Sequence, residues 1–260
     1  DLRDKHSVHR ALSNFTEYSD TLIFHLAAQA HVGESWERPY ETVDTNVNGT
    51  LNLLQSIVDL DLDIAKFDTA GTSEEYGNVK EEMVEKHEFE EDGRVLLSER
   101  SPVNPKSIYA TSKLAADFLT MNYYDAYDLP TVTTRMFNNY GPRQNPRYIT
   151  GTIITQALER EIVELGNLRP KRDMCYVNDG VRGHLHVALG GNPGEQYVYG
   201  HGENISMQKW TETILDVGTE HGYWDRPEIV QDDERFRPGD SDVEELLVGY
   251  EKLNEETGWE

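Results

Sequence analysis

Cysteine is nearly absent from this 260-residue sequence, with Cys175 standing alone. A single thiol excludes an internal disulfide framework and fits a reducing, cytoplasmic setting. No run of about 18 apolar residues occurs, so no membrane-spanning helix is expected. No basic segment followed by an apolar stretch marks a signal peptide. Basic residues are scarce as well: 24 Lys plus Arg stand against 48 Asp plus Glu, a formal net charge of -24. Nucleic acid attracts the opposite balance, which excludes that class of partner. The carboxylates are dispersed along the chain and not gathered in a tail. Two readings stay open: a surface adapted to high salt, where screening weakens self-repulsion, or an ordinary acidic cytosolic protein. Repeats and low-complexity stretches are lacking too.

What is present supports a packed α/β fold. Apolar residues make up 37% and aromatics 10%, enough for one large domain or two small ones. Thr21 to Ala28 reads as a buried strand, and Pro39 to Val58 as a helix with Val43, Val47, Leu51, Leu54 and Val58 at helical spacing. Ile64 to Ala70 is a second strand, 107–127 a second helix, and Thr131 to Phe137 a β-branched third strand. Between them, 78–104 is acidic and predicted to be loop. This alternation predicts a parallel sheet with right-handed crossovers, whose ligands sit beyond the carboxyl ends of the strands. Gln29 to His31, Gly71 to Gly77 and Asn138 to Gly141 all fall there. Further on, Gly151 to Leu165 and Ser206 to Gly218 read as helical, and Gln231 to Gly239 as a charged loop. Elements near Val177–Leu189 and Gln196–Tyr199 are expected to return to the main sheet.

Two blocks carry chemistry: Gly71-Thr-Ser-Glu-Glu-Tyr-Gly77 and Ser107-Ile-Tyr-Ala-Thr-Ser-Lys113. Tyr109 and Lys113, four apart on a helix, share a face. A neighbouring ammonium is expected to lower the phenol from its ordinary value of about 10 and make it a general base. Thr72 can bond the hydroxyl that Tyr109 deprotonates. Glu74, in a tight turn, can take a proton from carbon beside a carbonyl. Glu75 is expected to face solvent. His184 and His186 are two apart and read as packing residues, with no metal site. Trp210 and Trp224 read as core or cap aromatics.

These blocks resemble the extended short-chain dehydrogenase/reductase superfamily, in particular the nucleotide-sugar 4,6-dehydratases, over nearly all of the chain. Thr72-Ser-Glu-x-Tyr-Gly77 is similar to the catalytic turn of GDP-mannose 4,6-dehydratases; the dTDP-glucose enzymes have Asp where Ser73 stands. His25-Leu-Ala-Ala-Gln-Ala-His-Val32 and Thr45-Asn-Val-Asn-Gly-Thr50 resemble cofactor-side segments. Leu165-Gly-Asn-Leu-x-x-Lys-Arg-Asp173 and Arg237-Pro-x-x-x-Asp-Val243 resemble the GDP-mannose branch, whereas Phe137-Asn-Asn-Tyr-Gly-Pro-Arg143 is closer to dTDP- and UDP-sugar enzymes. The resemblance implies a Rossmann-like, doubly wound parallel sheet, N-terminally truncated, with a smaller α+β substrate-binding region. Residues 1–138, with 177–200 returning, would form the NAD(P)-binding part, and 139–176 with 201–260 the nucleotide-sugar-binding part. It further implies NAD or NADP as cofactor and a nucleotide-diphosphate hexose as substrate. Catalytic roles would fall to Thr72, Ser73, Glu74, Tyr109 and Lys113. Cofactor contacts would come from Asp1, Leu2, Leu26, Ala27, Ala28, Gln29, Thr45, Tyr109, Lys113 and Asn139. Substrate contacts would come from His31, Asn138, Arg143, Asn167, Arg172, Asn204 and Arg237. A homodimer or tetramer through helices 38–58 and 107–127 is the expected assembly.

The sequence departs from this family in one respect. The Gly-x-x-Gly-x-x-Gly turn that cradles the cofactor diphosphate is absent, and Asp1-Leu-Arg-Asp4 is similar to the segment that follows it. Two strands and two helices are therefore expected to precede residue 1 in the parent protein. The stretch from Asp1 alone is expected to bind cofactor poorly and to leave one side of the sheet uncovered. Two other functions are weighed: a nucleotide-sugar 4-epimerase, which shares Tyr109 and Lys113 but needs no base at C5, and a non-catalytic fragment.

Overall fold

The computed structural model describes residues 1–79, 81–86, 88–90, 92–239 and 241–260. Lys80, His87 and Glu91 of the expected 78–104 loop, and Asp240 of the 237–243 motif, lie outside the described residues. In chain order the elements are α1 (Lys5–Leu12), β1 (Thr21–His25), α2 (Val32–Glu37), α3 (Pro39–Val43), α4 (Gly49–Asp59), β2 (Ile64–Ala70), β3 (Glu88–Phe89), β4 (Val95–Leu96), α5 (Ile108–Tyr127), β5 (Thr131–Met136) and β6 (Asn138–Tyr140). They continue as α6 (Ile149–Glu159), β7 (Ile162–Leu165), β8 (Lys171–Tyr176), α7 (Val177–Gly190), β9 (Gln196–Tyr199), β10 (Asn204–Ser206), α8 (Met207–Glu220), β11 (Glu228–Gln231) and α9 (Glu251–Thr257). No helix among the described residues is long and apolar enough to cross a membrane.

The main sheet runs β1-β2-β5-β9, all parallel. Its strands are rich in β-branched and aromatic residues, which suit a pleated, two-sided core. On one face Leu54 and Ile57 of α4 and Tyr123 of α5 close over Ile64 and Phe67. On the other, Val187 of α7 and Leu253 and Trp259 at the end of the chain close over Val132, Tyr197 and Tyr199. A second sheet, β10-β8-β6, branches from the carboxyl ends, with β6 parallel and β10 antiparallel to β8. A third pairs β11 with β7 in parallel, under a separate core of Ile153, Val163, Leu165 and Leu215. This is the mixed α/β, parallel-sheet architecture that the alternation predicts. β1 is an edge strand, paired with β2 alone among the described residues. Beside it an apolar groove of about 260 Å³ is lined by Leu12, Phe15, Leu22, Phe24 and Leu62.

Several boundaries differ from expectation. The first strand stops at His25, and Leu26 and Ala27 are exposed at its end. The helix at 39–58 contains a π-helical stretch, Asp44–Asn48, between α3 and α4. Residues 162–165 form β7 and are not helical: Arg160 breaks α6 in an extended conformation. β8 went unseen because it reads Lys-Arg-Asp-Met-Cys-Tyr, yet Arg172 and Asp173 within it are buried. Asp173 is satisfied there by the backbone N–H groups of His201 and Gly202. Among its described residues, the 78–104 segment holds a short helical turn at 81–86 and the β3–β4 hairpin.

The turn after β2 depends on Gly77, which has φ +58 and whose added Cβ would lie 1.9 Å from the Asn104 carbonyl oxygen. Gly77→Ala should lower unfolding free energy by about 2 kcal/mol or more. Urea denaturation measures it, and an unchanged midpoint would refute the close approach.

Candidate active site

The carboxyl end of β2 breaks into a single 3₁₀ turn, Ser73–Glu75, capped at Thr72. The Thr72 hydroxyl accepts the Glu74 N–H at 3.3 Å, and Glu75 Oε1 accepts the Thr72 N–H at 3.0 Å, a reciprocal capping box. The turn is pressed against β5: a Cβ on Gly71 would lie 3.0 Å from Arg135 Cγ. Helix α5 starts where the Ser107 hydroxyl accepts the Ala110 N–H at 3.0 Å. That start places Tyr109 and Lys113 one turn apart on its buried face.

The loop after β1 is held from the side. Asn46, buried in the π-helical stretch, accepts the Gln29 N–H at 2.8 Å and donates to the Gln29 carbonyl at 3.0 Å and to Ser112 Oγ at 2.9 Å. One asparagine thus ties the end of β1 to α5. A π-helical stretch aims a side chain where regular α-helix could not, which is why such stretches gather at functional sites. His25 bonds Thr50 Oγ1 at 2.8 Å. Burial and the nearby Lys113 push it down to about 3, so the imidazole is neutral.

Thr72, Ser73, Glu74, Tyr109 and Lys113 are all buried around the strand end. One electrostatic expectation is corrected. The Tyr109 phenol is raised, not lowered: burial dominates, Glu74, Glu75 and Tyr148 add to it, and the Thr72 hydroxyl pulls only partly the other way. Lys113 is lowered by the same burial, although Glu75 and Asp117 pull it up. Spacing alone identified the pair but not its dry surroundings. Glu75 is not a solvent-facing partner either; it is 0% exposed and lies 3.0 Å from Arg135 Nε.

Glu74 takes the opposite direction and meets Arg237, with both carboxylate oxygens paired to the guanidinium at 3.1 and 3.2 Å. Burial pushes this carboxyl up, but Arg237 and Arg172 outweigh it and hold it below the ordinary carboxylate value. Asp242 joins the cluster, 3.6 Å from Arg237, 3.8 Å from Arg172 and bonded by Asn167 Nδ2 at 2.9 Å. An open groove of about 610 Å³ runs past Asn167, Arg237 and Asp242 toward Arg169 and Lys171.

The remaining expected residues spread more widely. Asn138 and Asn139 lie on β6, each with a buried Oδ1 that has no partner among the described residues. Asn139 Nδ2 is held by the Tyr199 hydroxyl. Ala28 and Thr45 are half-buried near Gln29 and Asn46. His31 caps α2 and packs edge-on against Tyr148. Asn204 bonds Glu245. Asp1 is exposed and paired with Arg3, and the Leu2 carbonyl accepts from Asn52 of α4. Arg143 is exposed with φ +66, and no partner is found for it among the described residues. His184 bonds Asp68 at 2.6 Å and His186 the Thr257 carbonyl, so the two serve different elements.

Sequence reasoning gave no individual role to Asn46, Asp117, Arg135, Tyr148 or Asp242, and it misplaced Glu75. Arg135 carried a signal: a lone cation in a β-branched buried strand requires carboxylate partners.

Can these residues suit a nicotinamide dinucleotide? They fit a nicotinamide: a buried Lys113 side chain without an ion-pair partner among the described residues, an unpartnered Asn139 oxygen, and an open strand end at Leu26–Ala27.

Because the Glu74 carboxyl is lowered in the folded protein, its pairing stabilises fully above the unfolded value and is lost as pH falls through the folded one. Arg237→Gln should therefore cost more than about 1 kcal/mol at pH 7, with the gap to wild type closing below about pH 4. Urea midpoints across pH measure this; a gap independent of pH would contradict it.

Comparison with known proteins gives the family. The sequence profile of the family described as GDP-mannose 4,6 dehydratase matches residues 1–260. The low-salt glycan biosynthesis protein Agl12 of Haloferax volcanii is 33% identical over 234 residues, covering 89% of this chain and 68% of that protein. An Escherichia coli dTDP-glucose 4,6-dehydratase is 30% identical over 270 residues, covering 96% and 71%. The crystal structure of DesIV, a dTDP-glucose 4,6-dehydratase from Streptomyces venezuelae solved with NAD bound, superposes with TM-score 0.82 at 28% identity, covering 100% of this chain and 72% of that one. With its profile matched from end to end and the Thr-Ser-Glu turn set against the Tyr–Lys helix, the chain belongs to the GDP-mannose 4,6 dehydratase family.

Proposed function

We propose that the protein is an NAD(P)-dependent nucleotide-sugar 4,6-dehydratase that converts an NDP-hexose to an NDP-4-keto-6-deoxyhexose. The observation that carries this reading is the placement of Glu74. It is a buried, ionised carboxylate in the same strand-end turn as Thr72, and its field reaches the Tyr109 phenol. A 4-epimerase needs no carboxylate there.

A bound nicotinamide dinucleotide would supply the hydride acceptor for C4 and return the hydride to C6. Leu26, Ala27, Ala28, Gln29, Thr45, Asn139 and Lys113 are the residues assigned to hold its nicotinamide half, with Asp1 and Leu2 on the adenine side. Tyr109 takes the O4 proton while the Thr72 hydroxyl orients O4. Its raised pKa is that of the protein alone, and a cation brought beside the phenol lowers it. The C4 ketone acidifies C5, and Glu74 removes that proton. The C6 hydroxyl leaves as water with a proton from Glu74, since Ser73 is too weak an acid to supply it. A proton returns to C5 as C6 is reduced. Two protons leave the sugar, from O4 and C5, and two are used, at the leaving hydroxyl and at C5.

For Glu74 to act, its pair with Arg237 has to open. A substrate diphosphate offers the guanidinium a better-matched double anion. We therefore assign Arg237 and Arg172 to the diphosphate, and His31, Asn138, Arg143, Asn167 and Asn204 to the rest of the nucleotide sugar. Assembly as a homodimer or tetramer through 38–58 and 107–127 accords with the exposed Tyr40, Val43, Leu51 and Phe118 on those helices. The acidic composition is consistent with a cytoplasm of high salt.

Protein from the complete reading frame, incubated separately with GDP-mannose, dTDP-glucose, UDP-glucose and UDP-GlcNAc, should give a 4-keto-6-deoxy product with one of them; product from none would sink the reading. Glu74→Gln should abolish exchange of C5–H with solvent deuterium while leaving C4 oxidation, which NMR of the recovered sugar reports. Tyr109→Phe should slow cofactor reduction by about 100-fold or more in stopped-flow absorbance. A normal rate would remove the phenol from the first step.

A further inference from the structure

The catalytic turn carries two adjacent carboxylates, and the fold gives them opposite surroundings. Glu74 meets Arg237 at the groove. Glu75 turns inward and is wholly buried. Its Oε1 caps the turn at Thr72. Its Oε2 lies 3.0 Å from Arg135 Nε, but that N–H is directed at Asp117 Oδ2, 2.8 Å away. Glu75 Oε2 is consequently left without a hydrogen bond among the described residues. One guanidinium is shared by two carboxylates, and its Nη1 donates to the Tyr76 hydroxyl at 3.3 Å. With both carboxylates ionised, two negative charges would face one positive, and the cluster would be one cation short. The fourth charged group in the same buried region is Lys113, one turn before Asp117 on α5.

Lys113 is faced by Glu75 from the turn, by Asp117 from its own helix and by the neutral His25 from β1. Glu75 is faced by Asp117, Arg135 and Lys113, and by the phenols of Tyr76 and Tyr109. Glu99 acts electrostatically on Arg135 and Tyr76 as well, and Gln196 of β9 donates to Asp117 at 2.9 Å.

We propose that Glu75 is a positioning residue: its buried side chain fixes the Thr72 turn and, held against Arg135 beside Asp117, governs the charge that the Tyr109–Lys113 pair meets from behind. Burial and Asp117 push Glu75 up to about 8. Above that point it is charged, and its charge raises both the Lys113 ammonium and the Tyr109 phenol. Glu75→Gln keeps the size and the oxygen that caps Thr72 but removes the charge, so both groups should titrate at lower pH. Loss of packing alone would lower the reaction rate without moving its pH dependence. The kinetic part of this inference rests on the dehydratase reading; the titration of Lys113 does not.

The test uses protein from the complete reading frame, wild type, Glu75→Gln and Asp117→Asn, with 13C-labelled lysine. NMR titration of the Lys113 side chain should show its midpoint lower by about half a pH unit or more in each variant. The pH profile of cofactor reduction by the NDP-hexose should move bodily toward acid in Glu75→Gln. A folded Glu75→Gln protein whose Lys113 midpoint is unchanged or raised overturns the proposal. If no NDP-hexose is turned over, the dehydratase reading fails while the lysine titration still decides the role of Glu75. If Asp117→Asn does not fold, Glu75→Gln decides alone.

Discussion

A guanidinium buried inside a parallel sheet has to be neutralised where it stands, and Arg135 is the group around which this molecule is arranged. It lies on β5 with its side chain 3% exposed, and three segments converge on it. The turn after β2 brings Glu75, α5 brings Asp117, and β9 braces Asp117 through Gln196. Removing one partner from such a knot leaves a naked charge in a dry interior, which costs about 3–5 kcal/mol. The knot therefore fixes the relative positions of the turn and of α5. Those two elements carry every side chain assigned to proton transfer.

On the groove side of the same turn a second charged cluster forms, from Glu74, Arg237, Arg172 and Asp242. The two clusters differ in access. The inner one is closed to solvent, whereas Arg237 and Asp242 are each 26% exposed and border the open groove. An anion can therefore compete for the outer guanidinium but not for the inner one. The fold thus separates a fixed pair of charges, which holds geometry, from an exchangeable pair, which can answer to a ligand.

The frame of the fold was legible because its strands are apolar or β-branched runs: 64–70, 131–136 and 196–199 stand out against polar flanks. The 107–127 helix was legible for its length and its Tyr-x-x-x-Lys face. β8 was not, because its buried polar residues are satisfied by chain distant in sequence, the 201–202 backbone and Asp242. β7 was mistaken for the end of a helix because four residues are too few for period to tell strand from helix. At the site, residue types and spacing singled out Thr72, Glu74, Tyr109 and Lys113, while direction stayed hidden. Successive residues of a 3₁₀ turn point about 120° apart, so Glu74 and Glu75 occupy different environments although they are neighbours. Spacing likewise could not reveal that the phenol of Tyr109 is dry enough for burial to outweigh every stabilising neighbour.

Asn46 shows how the fold sets the spacing beside the catalytic helix proposed above. Its side chain saturates both backbone groups of Gln29 and reaches Ser112 of α5, so the spacing between the first strand end and the Tyr109 helix is set by the fold. The entropy of ordering that loop is spent during folding, not at the moment of association. The loop on the β1 side is thus fixed by its own hydrogen bonds, whereas the Glu74–Arg237 pair borders the open groove.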